Sequence, residues 1–546
     1  MGASSSTGNP SPEAHEQREQ ETLASAALSL PLLRAAFSRS AANALPDALA
    51  PPPASFRLPG SPAPPPPHFH GILGGLGPAI ASQFFGHGAA AVTDGGAGWV
   101  QFLRGFNRCC ARVTASRSLA LLLRVYAAAC AGAGAPCGVQ LQPDEGGGDE
   151  DGKVVGELAP EEIAVFLWVC WVMAWSASAS RVVSDGGDKS EPVTVLLPDV
   201  THLVLSALVS AGVVTDDAGV WGWDVSSGGK GVKVQEFMSW VLSTPFGLGN
   251  CLSRYVRDKF RSLAADSVEE SSVSTVSTTF DTSDVYLLTR GRAWAIALSL
   301  RNKLSEKLLS ASVIGMDTED LLYRSSVHGK GLSRFWSCVE GYKGPMLILL
   351  SAFSKGGGEN VDSDRRWVIG VLTEEGFENK DTFYGSSGFL CAAHPIFRML
   401  PPSGKEKNFM YCHLHPQIRA YEANPKPVGL AFGGTIGNER IFLDEDFSGV
   451  LVRHHAVDKT YQHGSLIPNQ GYLPVEASVL DVEVWGLGGE ATKRQQNMYK
   501  KREDIFSEQR RKVLPRLRAN LNHLLPCSSL LKRACMPTIF PFTLSG

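Results

Sequence analysis

The sequence predicts an α+β protein, helical in its first half and β-rich in its second. Apolar residues come in helix-sized clumps, such as 119–125 and 203–209, up to about residue 311. From Pro345 onward the apolar period shortens to two, and Gly and Pro punctuate the short runs. Composition agrees with a folded chain: 546 residues, 44% apolar, with a net charge of −3. That length allows two or more domains with sizeable cores. Phosphate recognition needs clustered excess Lys and Arg on a folded surface, so this charge balance does not describe a nucleic-acid binder. Eleven cysteines in no regular spacing, with no Cys-x-x-Cys, read as reduced cytosolic thiols and not as a disulfide framework or a zinc ribbon.

In chain order, residues 1–67 read as a disordered, Pro-rich segment. It opens with MGASSS, which fits the N-myristoylation pattern with Gly2 as the acylated residue. One myristoyl chain holds a protein to a bilayer only marginally, so a second membrane signal is expected elsewhere. A helical stretch at 21–39 is interrupted at Pro31, and the Pro-rich text of 51–67 predicts a flexible or extended linker. Residues 68–311 read as helical, with loops at 146–152, 184–189 and 266–282. The charge-free run 163–180 has nearly the length of a membrane span. Its small polar second half and its aromatics Phe166, Trp168, Trp171 and Trp175 favour a buried core helix.

Two places in the helical region echo a calcium-binding loop without its ligands. In 93–104, Gly98 stands at loop position six and Val100 at position eight, but Thr93 opens the loop and Arg104 closes it where calcium needs carboxylates. In the second, Glu236 could close a loop around Val232, but upstream acids at alternate positions are missing and Asp224 is isolated. Degenerate, structural EF-hand-like helix pairs are expected, not calcium sensors.

Residues 313–490 form the β-rich region. Runs 346–352 and 367–372 read as buried strands, 409–415 alternates, and the last strand sets Leu480, Val482 and Val484 against Asp481 and Glu483. This alternation predicts antiparallel sheets packed face to face. After it, 491–546 holds a basic helix and an atypical tail. Residues 493–518 carry ten Lys and Arg against three acids, with Met498, Ile505, Phe506 and Val513 as a narrow apolar seam. Lys500, Lys501, Arg502, Arg510, Arg511 and Lys512 are therefore the candidate membrane-binding residues, because anionic lipid attracts each nearby basic side chain by about 1 kcal/mol. From 514 to 546 the chain is Pro- and Leu-rich and lacks any acid.

Six pieces in order carry a family resemblance: LLYRSSVHG at 321–329 with GPMLI at 344–348, VIGV at 368–371 with FYG at 383–385, and GLAFGG at 429–434 with FLDED at 442–446. Together with DVEVWG at 481–486, this stretch resembles a TLDc domain. The acylated start and EF-hand-like helices resemble most the lysosome-associated, mTOR-linked branch of that family; the tail after 513 matches nothing in it. The resemblance implies a β-sandwich flanked by helices, no catalytic residues, no cofactor, and an adaptor or regulator of oxidation resistance that binds the vacuolar proton ATPase. Peripheral attachment to lysosomal, vacuolar or other endomembranes, and contact with an mTOR-type signalling complex, follow as expectations.

Asp444, Glu445 and Asp446 form the candidate partner-binding site, an acidic triplet that could face a basic surface. Gly433, Gly434 and Gly437 suit a tight turn or a close backbone approach; no helix with Lys follows them, unlike a P-loop. The competing class is a redox protein in which Cys338 or Cys412 reacts with peroxide, with Cys391 a further thiol near a His. His413 and His415 could pair with His454, His455 or His463 as metal ligands, but no matching Cys or acid is evident and no metal is expected.

Overall fold

The computed structural model describes residues 12–39, 45–59, 64–85, 98–143, 152–179, 194–216, 218–265, 286–301, 303–354, 365–414 and 425–524. The expected acylation site Gly2, the loops at 184–189 and 266–282, most of that at 146–152, Thr93, His415 and the tail 525–546 lie outside them.

The helical half contains α1 (Pro12–Ser25), α2 (Leu30–Arg39), α3 (Leu45–Ala48), β1 (Ser55–Arg57), α4 (Phe69–Phe85), α5 (Trp99–Cys110), α6 (Ala115–Gly132), β2 (Val139–Gln142), β3 (Lys153–Leu158), α7 (Pro160–Ala179), β4 (Thr194–Leu196), α8 (Thr201–Ser210), β5 (Val232–Lys233), α9 (Val234–Ser243), α10 (Cys251–Ala264), α11 (Arg290–Leu298) and α12 (Lys303–Ile314). The β-rich half follows with β6 (Leu321–Arg324), α13 (Ser325–His328), α14 (Leu332–Val339), β7 (Met346–Ser354), β8 (Arg365–Thr373), β9 (Lys380–Tyr384), β10 (Gly388–His394), β11 (Arg398–Leu400), β12 (Met410–His413), β13 (Gly429–Thr435), β14 (Asn438–Asp444), β15 (Gly449–Val452), β16 (Val475–Gly486) and α15 (Gly489–Leu524).

The N-terminal segment corrects the sequence expectation. Pro51–Pro67 does not act as a free linker over its described part: β1 pairs in parallel with β4, and Phe56 is buried. Proline suits such a lead-in to an edge strand, where no donor is required. Ahead of it, Ala24, Leu28, Leu33 and Ala36 are buried in the helical core, and Trp99 Nε1 donates to Glu21 (2.9 Å). A Pro-rich composition forbids regular helix but not burial, and local pattern does not reveal which.

α7 is a buried core helix, as its aromatics predicted. Trp168 Nε1 donates to the Pro198 carbonyl (2.9 Å) and Trp171 Nε1 to the Ser312 carbonyl (3.3 Å), satisfying both indoles inside the core. Among the described residues no single helix is long and apolar enough to cross a membrane; the bent pair α5 and α6 passes by length and composition only.

Strands β6 to β16 form one curled antiparallel sheet in the order β11-β10-β8-β7-β16-β15-β14-β13-β12-β9, with β6 also paired to β16. Period two explains how one strand serves two cores. On β7, Ile348, Leu350 and Ala352 point into the sandwich interior with Phe432, Ile441 and Val452. Leu347 and Leu349, on the opposite face, join Trp294, Ala297 and Leu298 of α11 in the helical core. A strand covered on both faces reads as a continuous apolar run, which is what 346–352 does. The glycine-rich hairpin from β13 to β14 is the tight turn expected: Gly433, Gly434 and Gly437 all have positive φ, and a Cβ on Gly434 would stand 2.2 Å from the Asn438 carbonyl oxygen.

The seam between helices and sheet is also polar. Ser206 Oγ donates to the Phe397 carbonyl (2.6 Å) and receives Trp240 Nε1 (2.9 Å), while Phe397 N donates to the His202 carbonyl (3.0 Å). Burial holds the His202 imidazole down at about 4 against the opposing pull of Asp199, and burial with Arg292 does the same to His394. Shared packing and these bonds make the helical half part of the sheet's support.

Candidate functional site

Asp481 and Glu483 of β16 are the polar centre of the β-rich half. A register shift between Val479 and Asp481 breaks the expected alternation. Leu480 is consequently exposed, whereas Glu483 is fully buried with Val482 and Val484. The Asp481 carboxylate accepts from Ser325 Oγ (2.5 Å), Ser326 N (3.2 Å), Ser326 Oγ (3.0 Å) and Arg324 Nε (3.1 Å). Burial opposes its ionisation, but these donors prevail and hold it below the usual carboxylate range. Glu483 accepts from Leu287 N (2.9 Å), Leu288 N (3.3 Å) and Trp485 Nε1 (3.1 Å), with Arg324 Nε at 3.4 Å. There burial outweighs the donors and its carboxyl is pushed up. Sequence reasoning put both acids on a solvent face; the LLYRSSVHG run, three residues of which (Arg324, Ser325 and Ser326) bond to them, was the available signal.

The acidic triplet divides on inspection. Asp444 accepts from Ser448 N (2.8 Å), Ser448 Oγ (2.7 Å) and Gly449 N (2.8 Å), so it closes the turn between β14 and β15. Glu445 lends its carbonyl to Leu332 N (2.7 Å) at the start of α14. Asp446 is exposed, and Phe447 beside it is buried with φ of 55°. Of the three, Asp446 presents its side chain most openly.

The basic helix is long and docked only at its start. Lys493 pairs with Glu319 (2.5 Å), Gln496 Nε2 donates to the Cys338 (2.9 Å) and Glu340 (3.1 Å) carbonyls, and Tyr499 OH donates to Glu340 (3.1 Å). Lys500 donates to the Cys338 carbonyl (3.0 Å), so it is an anchor of the helix and not a free membrane contact. Lys501, Arg502, Arg510 and Arg511 are exposed, and Lys512 pairs with Glu508 one turn back (2.6 Å). The apolar seam is left uncovered at Met498, Ile505 and Phe506, each about half exposed (53–55%).

Of the two calcium-loop-like places, the one around Val232 holds a short strand where expected, and its strand partner lies in the unit that follows α6. β3 and β5 pair antiparallel through Leu158 and Val232, joining the unit α6–β3–α7 to the unit α8–β5–α9. The loop paired with it centres on Gly156, with φ of 113°, whereas residues 93–97 of the place expected around Gly98 lie outside the described residues. Counting calcium-loop positions from that glycine as six, Leu158 is eight and Glu162 twelve, while Lys153 and Val155 fall at three and five. Glu162 Oε1 accepts from Gly138 N (2.7 Å) and Oε2 from Ala159 N (2.7 Å), so main-chain donors occupy the carboxylate. These residues do not fit the ion. Arg104, the closing residue of the loop read from sequence, instead pairs with Glu16 of α1.

Thiol and imidazole chemistry is also placed. Cys412 and Cys391 are buried, and burial raises both thiols, Cys391 to about 12. Cys338 is half-buried. His454 lies against His463 (ring centroids 4.7 Å) and stacks on Tyr472, and burial followed by Arg440 holds its imidazole below the ordinary value. Among the described residues no group of three or more His, Cys, Asp or Glu could hold a metal ion.

Fold and site together define a helix-buttressed, curled β-sandwich with surface acids and a projecting basic helix. Residues 296–488 match the TLDc domain. The match begins in the last turn of α11 and takes in all of α12, whereas sequence reading began the domain at 313. No curated protein matches the chain.

Proposed function

We propose that this chain is a non-enzymatic regulator of the oxidation-resistance type, whose TLDc domain binds the vacuolar proton ATPase at endolysosomal or vacuolar membranes in oxidative-stress or nutrient, mTOR-type signalling. The TLDc match over 296–488 carries this reading. Its β3–β5 pair is a degenerate EF-hand-like support. The expected Gly2 acyl chain supplies one weak membrane signal, and Lys501, Arg502, Arg510 and Arg511 supply the second. The redox alternative loses Cys412, because a buried thiol with a raised pKa is a poor nucleophile.

The test uses the full chain, because a fragment starting at 313 would uncover Leu347 and Leu349. Binding of the purified peripheral sector of the vacuolar ATPase is measured for the native chain and for Asp446→Lys. Nanomolar to micromolar binding weakened about tenfold by the substitution supports the reading and its surface; no binding by the native chain removes the ATPase from it. Flotation with vesicles containing anionic lipid, with and without Lys501, Arg502, Arg510 and Arg511 changed to Gln, tests the membrane arm separately.

A further inference from the structure

We propose that the cleft between α7, α10 and the α11–α12 hairpin binds a single-chain anionic amphiphile, an alkyl body carrying a carboxylate or phosphate head. The cleft measures about 510 Å³, inside the range of about 300–1,000 Å³ that suits small ligands. Its walls follow from the run PFGLGN at 245–250. Gly247 lets that turn approach α11 closely, since a Cβ there would stand 2.9 Å from the Leu298 carbonyl oxygen. Phe246 thereby lines the cleft, and Met173 of α7, Leu242 of α9, Leu298 of α11 and Leu309 of α12 complete an apolar wall.

The polar side of the cleft is cationic. Among the described residues the half-buried Arg254 makes no hydrogen bond or ion pair, and the Arg301 guanidinium lies 4.5 Å over the Phe246 ring with no acid on it. Of the two lining acids, Asp258 is already held by Arg261 (2.8 Å), and Glu306 stands exposed in the first turn of α12. Two guanidiniums therefore outnumber one uncommitted carboxylate. A guanidinium offers five donors in a fixed fork that matches carboxylate and phosphate oxygens, and an anion would supply the acceptors that Arg254 lacks.

With its head on Arg254 and Arg301, the ligand lays its alkyl body along the wall of Met173, Leu242, Leu298 and Leu309 and takes apolar surface out of water on both sides. The two sides belong to different parts of the chain. Met173, Leu242 and Arg254 precede the TLDc match, whereas Leu298, Arg301 and Leu309 lie within it. A bound amphiphile thus bridges the helical half and the TLDc half, and such junctions are where small-molecule sites concentrate.

Cys251, half-buried and lining the same cleft, reports its occupancy, and Cys338, half-buried outside it, is the reference thiol. Alkylation of the reduced full chain by N-ethylmaleimide is timed on the tryptic peptides 234–254 and 335–343, each of which carries one of these cysteines and no other. The probes are laurate, dodecyl phosphate, dodecanol and inorganic phosphate, each below its micellar range. Laurate or dodecyl phosphate, at about ten times its dissociation constant, should slow Cys251 about tenfold and leave Cys338 unchanged, the tighter of the two fixing the head as carboxylate or phosphate. Dodecanol and inorganic phosphate should need at least about tenfold higher concentrations, and Arg254→Gln (read on 234–257) and Arg301→Gln should each weaken protection by the charged probes about tenfold. Unchanged alkylation of Cys251 with every probe, equal slowing of Cys338, or protection by dodecanol at the same concentration as by the charged probes would overturn the assignment. The comparison of probes on the wild-type chain needs no variant, so misfolding of a glutamine protein cannot mask the outcome.

Discussion

Two acidic clusters in the same sheet behave oppositely. Asp444–Asp446 stands at a turn and looks like a recognition surface, whereas Asp481 and Glu483 alternate with valines and look like the wet side of a strand. The structure gives the second pair five and three hydrogen bonds closer than 3.4 Å from protein donors, and it uses Asp444 to close a turn. An acid's role is thus set by which donors reach it, and donors arrive from distant segments: Leu287 and Ser325 are more than 150 residues from β16.

Substitutions should rank accordingly. Glu483→Ala removes the acceptor shared by two buried amides, an indole and Arg324, and should cost about 3–5 kcal/mol in urea denaturation. A loss under about 1 kcal/mol would place the site in contact with water. Asp481→Ala should cost about 1.5–3 kcal/mol, because charged acceptors of this kind contribute that much, and amide exchange at Ser326 should accelerate with it.

The pH dependence sharpens the contrast. Glu483 is raised in the fold, so its contribution is present below the unfolded value near 4.5 and is lost as pH rises through the folded value. Asp481 is lowered, so its contribution is present above about 3.8 and is lost as pH falls through the folded value. Chemical denaturation across pH 2–7 should show Glu483→Gln and Asp481→Asn changing the profile in opposite senses. Parallel changes would show that the two carboxylates titrate together.

Smaller effects are expected at the turn. Asp444→Ala should cost about 0.5–2 kcal/mol, the size of a lost cap, read as a lower melting temperature. Asp446→Lys should leave melting unchanged and reduce partner binding alone; a stability loss there would mean that its side chain is structural after all.

Much of the fold was legible because periodicity is local. The period-two runs 346–352 and 367–372, the buried aromatic helix α7 and the glycine turn at 433–437 each follow from side chains a few residues apart. The candidate site was legible in part. Asp446 and the basic residues Lys501, Arg502, Arg510 and Arg511 are exposed as expected, but Lys500 and Asp444 are tied to main-chain partners that no spacing rule shows. The place around Val232 was legible, but its partner was not, because Gly98 matches the glycine position as well as Gly156 does. Strand pairing between Leu158 and Val232 distinguishes them, and it spans 74 residues.

By itself, then, the sequence determined the order of helical and β-rich halves, the strands with two buried faces and the TLDc character of the second half, since each rests on short-range pattern. Only the tertiary structure decided that residues 12–39 and 45–59 pack into the helical core and that Asp481 and Glu483 face inward. A buried charge or thiol is defined by the neighbours that exclude water from it, and those neighbours are assembled by the fold.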